Sequence, residues 1–277
     1  MDGAALVQVA TTPNQETAVS NDRQNRAARA EQMRKEREKA DRKQRNLITV
    51  GIVVVVIALI AVGGYGINAA SKANEKEDKV VQPANATKDF GIVYDAAAAG
   101  ATPPADAKPV SVEVYEDFQC PICRSFEEQS GDFLRQQVAS GAVTVTYRPF
   151  SFLDDTGGSP NDYSKRSTSA ALCALDKGGV ADYIKVHDYL YANQPDEGTP
   201  GPENAALAKA IDGLGISGVD SCVKTEKFVP WVKKARTTAS DSDRKVDSTP
   251  TVYVGGKAVE NPSPQGLQAA IDAAKAA

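Results

Sequence analysis

The alternation of apolar and polar positions from residue 109 onward predicts a strand, a helix and a second strand. Val110–Tyr115 and Val143–Tyr147 have the apolar spacing of buried strands, and the helical pattern from Pro121 to about Ser140 ends at Gly141. A strand–helix–strand unit of this length predicts that the two strands pair in parallel through a right-handed crossover.

Helical patterns occupy the next part of the chain, and strands return only near the C-terminus. The predicted helices are Ser164–Asp176, Val180–Ala192, Glu203–Gly213, Val219–Thr225 and Phe228–Ala239. Thr251–Val254, the turn Gly255–Gly256 and Lys257–Val259 predict a hairpin, and a helix follows from about Pro264 to Ala276. We therefore predict an α/β fold whose first part is 109–150, with a helical insertion at 151–243 and a second part at 244–277.

Residues 47–67 form an apolar run without a charged side chain. As a helix, this run would span roughly 32 Å, which is enough to cross the hydrocarbon core of a bilayer. Arg23–Arg45 carries ten basic and four acidic residues, whereas Asn68–Lys79 carries three of each. This asymmetry predicts a cytoplasmic N-terminus and an extracytoplasmic C-terminal part. Cleavage as a signal peptide is the alternative, although the run and the preceding segment are longer than is typical.

The regions around this run have no clear core-forming pattern. We assign 1–46 as a basic, largely disordered cytoplasmic tail, 47–67 as a single transmembrane signal anchor, and 68–108 as a linker. Phe90–Tyr94, inside the linker, has the pattern of an edge strand or a hairpin arm. The residues after 67 include 22 basic and 29 acidic side chains, and this acidic balance argues against nucleic acid as a partner.

The segment Cys120-Pro121-Ile122-Cys123, which closely follows the first predicted strand, carries the clearest chemistry. Pro121 suits the first position of a helix, so Cys120 is predicted to lie at its N-cap. The free N–H groups and the dipole of the helix favour the Cys120 thiolate. Cys123, one turn further, is placed to attack a mixed disulfide formed on Cys120. This arrangement is typical of thiol–disulfide exchange.

Three further residues bear on the alternatives: Cys173, Cys222 and the single histidine, His187. Zinc sites share the CxxC spacing but need two more ligands, and these three form no second close pair. In an exported protein disulfides persist, and four cysteines allow three connectivities. We favour Cys120–Cys123 with Cys173–Cys222, which separates an exchangeable pair from a distant one; two buried free cysteines are the alternative. We expect His187 to be a surface or packing residue.

With the CxxC pair at the first strand–helix junction, the element order is that of a thioredoxin fold with an inserted helical domain. Tyr115–Cys123 is similar to the (F/Y)-x-D-(F/Y)-x-C-P-x-C signature of the DsbA-like thiol–disulfide oxidoreductases, bacterial envelope proteins with a thioredoxin_4 domain. Ser248–Thr251 resembles the G/S-T-P-T segment in which that family places a cis-proline. Ala170–Cys173 and Tyr189–Gln194 resemble its helical insertion. The resemblance covers residues 110–277.

The resemblance implies a role for each matching residue of the site. Cys120 would be the nucleophile that forms the mixed disulfide, and Cys123 would resolve it. Pro250, in cis, would lay the Thr249 backbone beside the Cys120 sulfur, where it can hydrogen-bond an extended substrate segment by strand addition.

The residues around the cysteines would tune the reaction. Pro121 and Ile122 are the middle dipeptide, which sets the redox potential, and strongly oxidising relatives have a histidine where this chain has Ile122. Thioredoxin-type enzymes also have a buried acid six residues before the first cysteine. This chain has Val114 there, and the flanking Glu113 and Asp117 are candidate proton relays, with an ordinary surface or capping role as the alternative.

Together these features predict a membrane-tethered enzyme that gives its disulfide to newly exported proteins. The exchange requires no cofactor, and we expect neither a cofactor nor a metal. The resemblance implies a quinone-linked membrane partner as re-oxidant, either a vitamin K epoxide reductase homologue or a DsbB-like protein. The alternatives are a disulfide reductase or isomerase, and a metallochaperone that binds Cu(I) or Zn(II) at the CxxC pair. We expect a monomer, because we see no dimerisation segment between the apolar run at 47–67 and the domain.

Overall fold

A five-stranded sheet lies at the centre of residues 79–277, the part of the chain that the computed structural model describes. Its strands are β1 (Ile92–Tyr94), β2 (Val110–Glu116), β3 (Val143–Pro149), β4 (Thr251–Val254) and β5 (Lys257–Ala258). They lie in the order β1-β3-β2-β4-β5. Strands β2 and β3 are parallel, which confirms the predicted parallel pairing, and the other neighbours are antiparallel.

The helices follow the predicted order with small shifts at their ends. Helix α1 begins as Pro121–Phe126, passes through a π-helical turn at Glu127–Gly131 and ends as Asp132–Ala139. The others are α2 (Leu153–Thr156), α3 (Tyr163–Gly178), α4 (Val180–Ala192), α5 (Asn204–Gly213), α6 (Asp220–Lys224), α7 (Val229–Asp241) and α8 (Pro264–Lys275). The thioredoxin-type α/β fold with a helical insertion is therefore confirmed. The short helix α2 and the π-helical turn are additions that the apolar pattern did not indicate.

Strand β2 is the central strand, and its position determines where the chemistry lies. Its residue Val112 pairs with Val145 of β3 on one side and with Val254 of β4 on the other. All three valines are buried, because helices cover both faces of the sheet. Strand β2 ends at Glu116. The segment that follows therefore begins at the end of the central strand, with two strands of the sheet on each side.

The segment 79–108, which the sequence assigned to a linker, contributes one strand to the sheet. Strand β1 pairs antiparallel with β3, and its residue Ile92 is fully buried. Phe90 packs against Trp231 of α7 with ring centroids 5.1 Å apart. The edge strand anticipated at Phe90–Tyr94 is therefore part of the folded unit.

The helical insertion shares the apolar core of the sheet and contains a covalent cross-link. Trp231 and Phe228 are buried, in agreement with their helical spacing in the sequence. Cys173 of α3 and Cys222 of α6 form a disulfide, with their Cα atoms 5.9 Å apart. The bond joins two helices through cysteines that are 49 residues apart in the chain.

The predicted cytoplasmic tail at 1–46, the predicted anchor at 47–67 and the first part of the predicted linker lie outside the described residues. Among residues 79–277, no helix has both the length and the apolar character that crossing a bilayer requires.

Candidate active site

Cys120 occupies the N-cap of α1, directly after the loop that leaves β2. Its backbone is extended, with φ −74° and ψ 118°, and Pro121 takes the first helical position. Cys120 is 6% exposed, whereas Cys123, one turn further along α1, is fully buried. Both thiols are free. Ile122 between them is 62% exposed and forms the apolar surface beside the reactive sulfur.

The two thiols have opposite acidities. The Cys123 thiol, as a hydrogen-bond donor, lowers the pKa of Cys120 to about 6. Burial opposes this shift, and the backbone N–H groups of Ile122 and Cys123 reinforce it. Burial, together with the neighbouring Cys120 sulfur, raises the pKa of Cys123 well above its usual range. At neutral pH the site therefore holds one thiolate and one protonated thiol, as the two steps of an exchange reaction require.

The segment before β4 lies against the reactive sulfur. The Thr249–Pro250 peptide bond is cis. When it is protonated, the Cys120 thiol donates a hydrogen bond to the Thr249 carbonyl oxygen, with the sulfur and oxygen 3.6 Å apart. Because β4 runs antiparallel to β2, the segment entering β4 and the segment leaving β2 meet at the same edge of the sheet. The pairing of Thr251 with Tyr115 sets this register.

Of the two acids that flank Val114, only Asp117 is in the site interior. It is fully buried, and its carboxylate accepts hydrogen bonds from the backbone N–H groups of Gln119 and Leu153, at 2.8 and 2.9 Å. Burial raises the pKa of Asp117 to about 6, against these two hydrogen bonds. Its position at the base of the loop makes it a positioning residue for the segment that carries Cys120.

Glu113, the second candidate proton relay, is engaged elsewhere. Its carboxylate pairs with Arg148 at 2.6 Å and with Arg244 at 2.8 Å. These contacts give Glu113 a structural role, because they join β2, β3 and the segment before β4.

The insertion holds the active-site loop through three glutamine contacts that the sequence did not predict. The side-chain amide of Gln194 donates to the Cys120 carbonyl at 3.0 Å. The amide of the buried Gln119 donates to the carbonyl oxygens of Asp196 and Thr199, at 3.2 and 2.8 Å. The loop after α4 is thereby joined to the segment between β2 and α1.

A second buried group of titratable residues lies next to this loop. His187 is fully buried rather than exposed, and its Nε2 lies 2.9 Å from Oε1 of Glu116. Glu127, in the π-helical turn, is the third member of the group. A single sequence holds little signal for this group, because 71 residues separate Glu116 from His187.

The site has a stabilised thiolate at Cys120, a buried second thiol at Cys123 and the Thr249 backbone beside the reactive sulfur. These features define the class of protein: a thiol–disulfide oxidoreductase. Cys173 and Cys222 are joined to each other, so they are not available as zinc ligands for the CxxC pair. The chain belongs to the thioredoxin family described as Thioredoxin_4, whose model matches residues 105–273.

Two solved structures from Mycobacterium tuberculosis are similar to this chain. The reduced form of the disulfide bond oxidoreductase DsbG is 28% identical, with a TM-score of 0.57, and the match covers 69% of this chain and 90% of DsbG. Reduced DsbA is 27% identical, with a TM-score of 0.54, and the match covers 68% of this chain and 98% of DsbA. Both are thus matched over nearly their full length.

A similar segment also occurs within a larger protein. The serine/threonine-protein kinase PknE of M. tuberculosis is 26% identical over 165 residues, which are 57% of this chain. The match spans only 29% of PknE, less than a third of its length.

Proposed function

We propose that this protein is an extracytoplasmic thiol oxidase, which introduces disulfides into exported proteins by exchange at Cys120-Pro121-Ile122-Cys123. The observation that carries the proposal is the position of Cys120 at the N-cap of α1, where the Cys123 thiol and the backbone N–H groups lower its pKa to about 6, against an ordinary value of 9.0. A thiolate that the folded protein stabilises is a good leaving group, so a disulfide that contains it is readily given to a substrate. The likeness to DsbA and DsbG of M. tuberculosis supports the same chemistry.

The size of this effect follows from the linkage between protonation and stability. Because the pKa is lower in the folded protein, the stabilisation is complete above pH 9, where it amounts to about 4 kcal/mol, and it is lost as the pH falls through 6. At pH 7 it is about 1.4 kcal/mol, which raises the potential of the couple by about 30 mV. Only the reduced protein has this thiolate, so the shift favours the oxidising direction.

The proposed reaction has two exchange steps. A substrate thiolate attacks the Cys120 sulfur of the enzyme disulfide, and Cys123 leaves and takes up a proton in its buried position. A second substrate thiolate then attacks the substrate sulfur of the mixed disulfide, which forms the substrate disulfide and releases the Cys120 thiolate. The exposed Ile122 and the Thr249 backbone are the surfaces against which the substrate segment would bind. Two electrons pass from the substrate to the enzyme in each cycle.

Location and partners are part of the same proposal. The charge-free run at 47–67 and the basic segment before it support a single-pass anchor with a cytoplasmic N-terminus. The substrates would be exported proteins with cysteine thiols. The enzyme, acting as a monomer, would be re-oxidised by a quinone-linked membrane protein, either a vitamin K epoxide reductase homologue or a DsbB-like protein.

The test is a single-turnover assay with the full chain in detergent. We expect the oxidised protein to form one substrate disulfide per enzyme when it is mixed with a reduced, unfolded polypeptide that contains two cysteines. Sustained turnover should require an added oxidant, such as oxidised glutathione. Protein whose thiols have been reduced and alkylated is the control. Inert oxidised protein, together with reduced protein that rapidly reduces substrate disulfides, would contradict the proposal and favour a reductase.

A further inference from the structure

Two carboxylates and an imidazole meet in the interior where β2, the π-helical turn of α1 and helix α4 come together. Glu116 ends β2, Glu127 begins the turn, and His187 lies in α4. One ligand atom from each of the three lies within 4.8 Å of the other two. All three residues are buried, at 3%, 8% and 0% exposure respectively. The group lies outside the CxxC pair, and the exchange reaction makes no use of it.

The carboxylates of this group lack the partners that buried oxygens normally have. Within residues 79–277, Oε2 of Glu116 and both carboxylate oxygens of Glu127 accept no hydrogen bond. Arg135 is the nearest cation to Glu127, but its Nη1 lies 4.0 Å from Oε2. A buried carboxylate without a partner is costly, and buried charges in proteins are usually paired or bound to metals. Oε1 of Glu116 pairs with the His187 imidazole at 2.9 Å, so Glu127 is the carboxylate without a direct partner.

His187 is oriented as a metal-ligating histidine would be. Its Nδ1 lies 3.1 Å from Oδ1 of Asp188, and its Nε2 lies 2.9 Å from Oε1 of Glu116. The carboxylate on Nδ1 fixes the ring, and a bound cation would take the place of the proton between Nε2 and Glu116. Asp188 is itself held by Arg135 at 3.2 Å.

The backbone and the surface around Glu127 leave room for an ion to enter. The Glu127 carboxylate lies over Gly131, where a Cβ atom would come within 2.6 Å of its Oε2. The intervening backbone is a π-helical turn, a distortion found frequently at functional sites. A surface cavity of about 380 Å³ reaches Glu127 and is also lined by Arg124, Arg135 and Tyr191.

We propose that Glu116, Glu127 and His187 bind a divalent first-row transition-metal cation, in a site that joins the helical insertion to the thioredoxin part of the fold. One imidazole and two carboxylates suit Zn²⁺ or Mn²⁺, and a fourth position stays open toward the cavity. Ca²⁺ and Mg²⁺ are less suited, because they prefer all-oxygen surroundings. The cation balances the two buried carboxylates. The proposal departs from our expectation, based on the sequence, that the protein binds no metal.

The test measures Zn²⁺ binding to the full, untagged chain by calorimetry, after treatment with a chelator. The protein is first oxidised, so that the Cys120–Cys123 thiols cannot bind the metal. We expect one equivalent of Zn²⁺ to bind and the melting temperature to rise, with Mn²⁺ binding more weakly. Since no exchange reaction is measured, the outcome is independent of the proposed oxidase activity.

Three variants assign the binding to these residues. Glu127→Gln should weaken Zn²⁺ binding by more than about 100-fold, because it removes a direct ligand, and Asp188→Asn should weaken it by about 10- to 100-fold. Glu128→Gln removes the same charge one residue away, on an exposed side chain, and should leave the affinity unchanged. Melting of each metal-free variant checks its fold. Absence of stoichiometric binding by the wild type, or equal binding by Glu127→Gln and Glu128→Gln, would overturn the proposal and leave a shared proton as the occupant.

Discussion

Replacement of Cys120 by serine is expected to lower the rate of substrate oxidation to that of uncatalysed exchange. Serine keeps the size of the side chain but provides no thiolate at neutral pH, and the remaining Cys123 is fully buried with a raised pKa. We expect a loss of at least about three orders of magnitude, as when an enzyme nucleophile is removed. The measurement is the rate of disulfide formation in a reduced polypeptide, with far-UV circular dichroism to confirm the fold.

Cys123→Ser is the matched variant, because it changes the same atom at the other thiol. It also loses oxidase activity, since no enzyme disulfide can form, but it retains the Cys120 thiolate. Mixed with a disulfide-containing peptide, Cys123→Ser should accumulate a covalent adduct that reductant releases, whereas Cys120→Ser should form none. Intact-mass spectrometry distinguishes the two. An adduct on Cys120→Ser alone would mean that the roles of the two cysteines are reversed.

The second large effect concerns stability, and it comes from the disulfide between Cys173 and Cys222. The double variant Cys173→Ala, Cys222→Ala should lower the free energy of unfolding by roughly 4 kcal/mol, because the bond closes a long loop in the unfolded chain. Alanine is the suitable replacement, since Cys173 is buried and a serine hydroxyl there would need a hydrogen-bond partner. The fluorescence of Trp231, the single tryptophan of the chain, reports urea unfolding of the insertion.

Two controls limit the interpretation of this loss. Ser221→Ala changes an exposed neighbour of Cys222 and should alter the free energy of unfolding by no more than about 0.5 kcal/mol. Single-turnover oxidation by the folded double variant should be preserved, because the exchange uses only Cys120 and Cys123. A double variant as stable as the wild type would show that the cross-link does not stabilise the insertion.

The elements of the fold were predictable because each has a clear local pattern. Strand Thr251–Val254 and helix Val180–Ala192 have the bounds that the apolar spacing predicted. Cys120 could be placed at a helix N-cap because Pro121 restricts the first helical turn. These features depend only on residues that are close together in the sequence.

The parts of the site that were not predicted depend on contacts between distant segments. Gln194 reaches the Cys120 carbonyl across 74 residues, and no periodicity marks it. His187 was expected at the surface or in packing; its ring is indeed packed in the interior, but its contact with Glu116 had no signal in the sequence. The burial that raises the pKa of Asp117 likewise arises only when β2, α2 and the insertion come together.

The decisive measurement is the equilibrium potential of the Cys120–Cys123 couple against glutathione over a range of pH. We expect a value above about −180 mV at pH 7. We also expect the slope of the potential against pH to change from about 59 mV per pH unit below pH 6 to about 30 mV above it, because the reduced protein then holds Cys120 as a thiolate. A value near about −250 mV or lower, with no change of slope near pH 6, would contradict a thiol oxidase and favour a reductase.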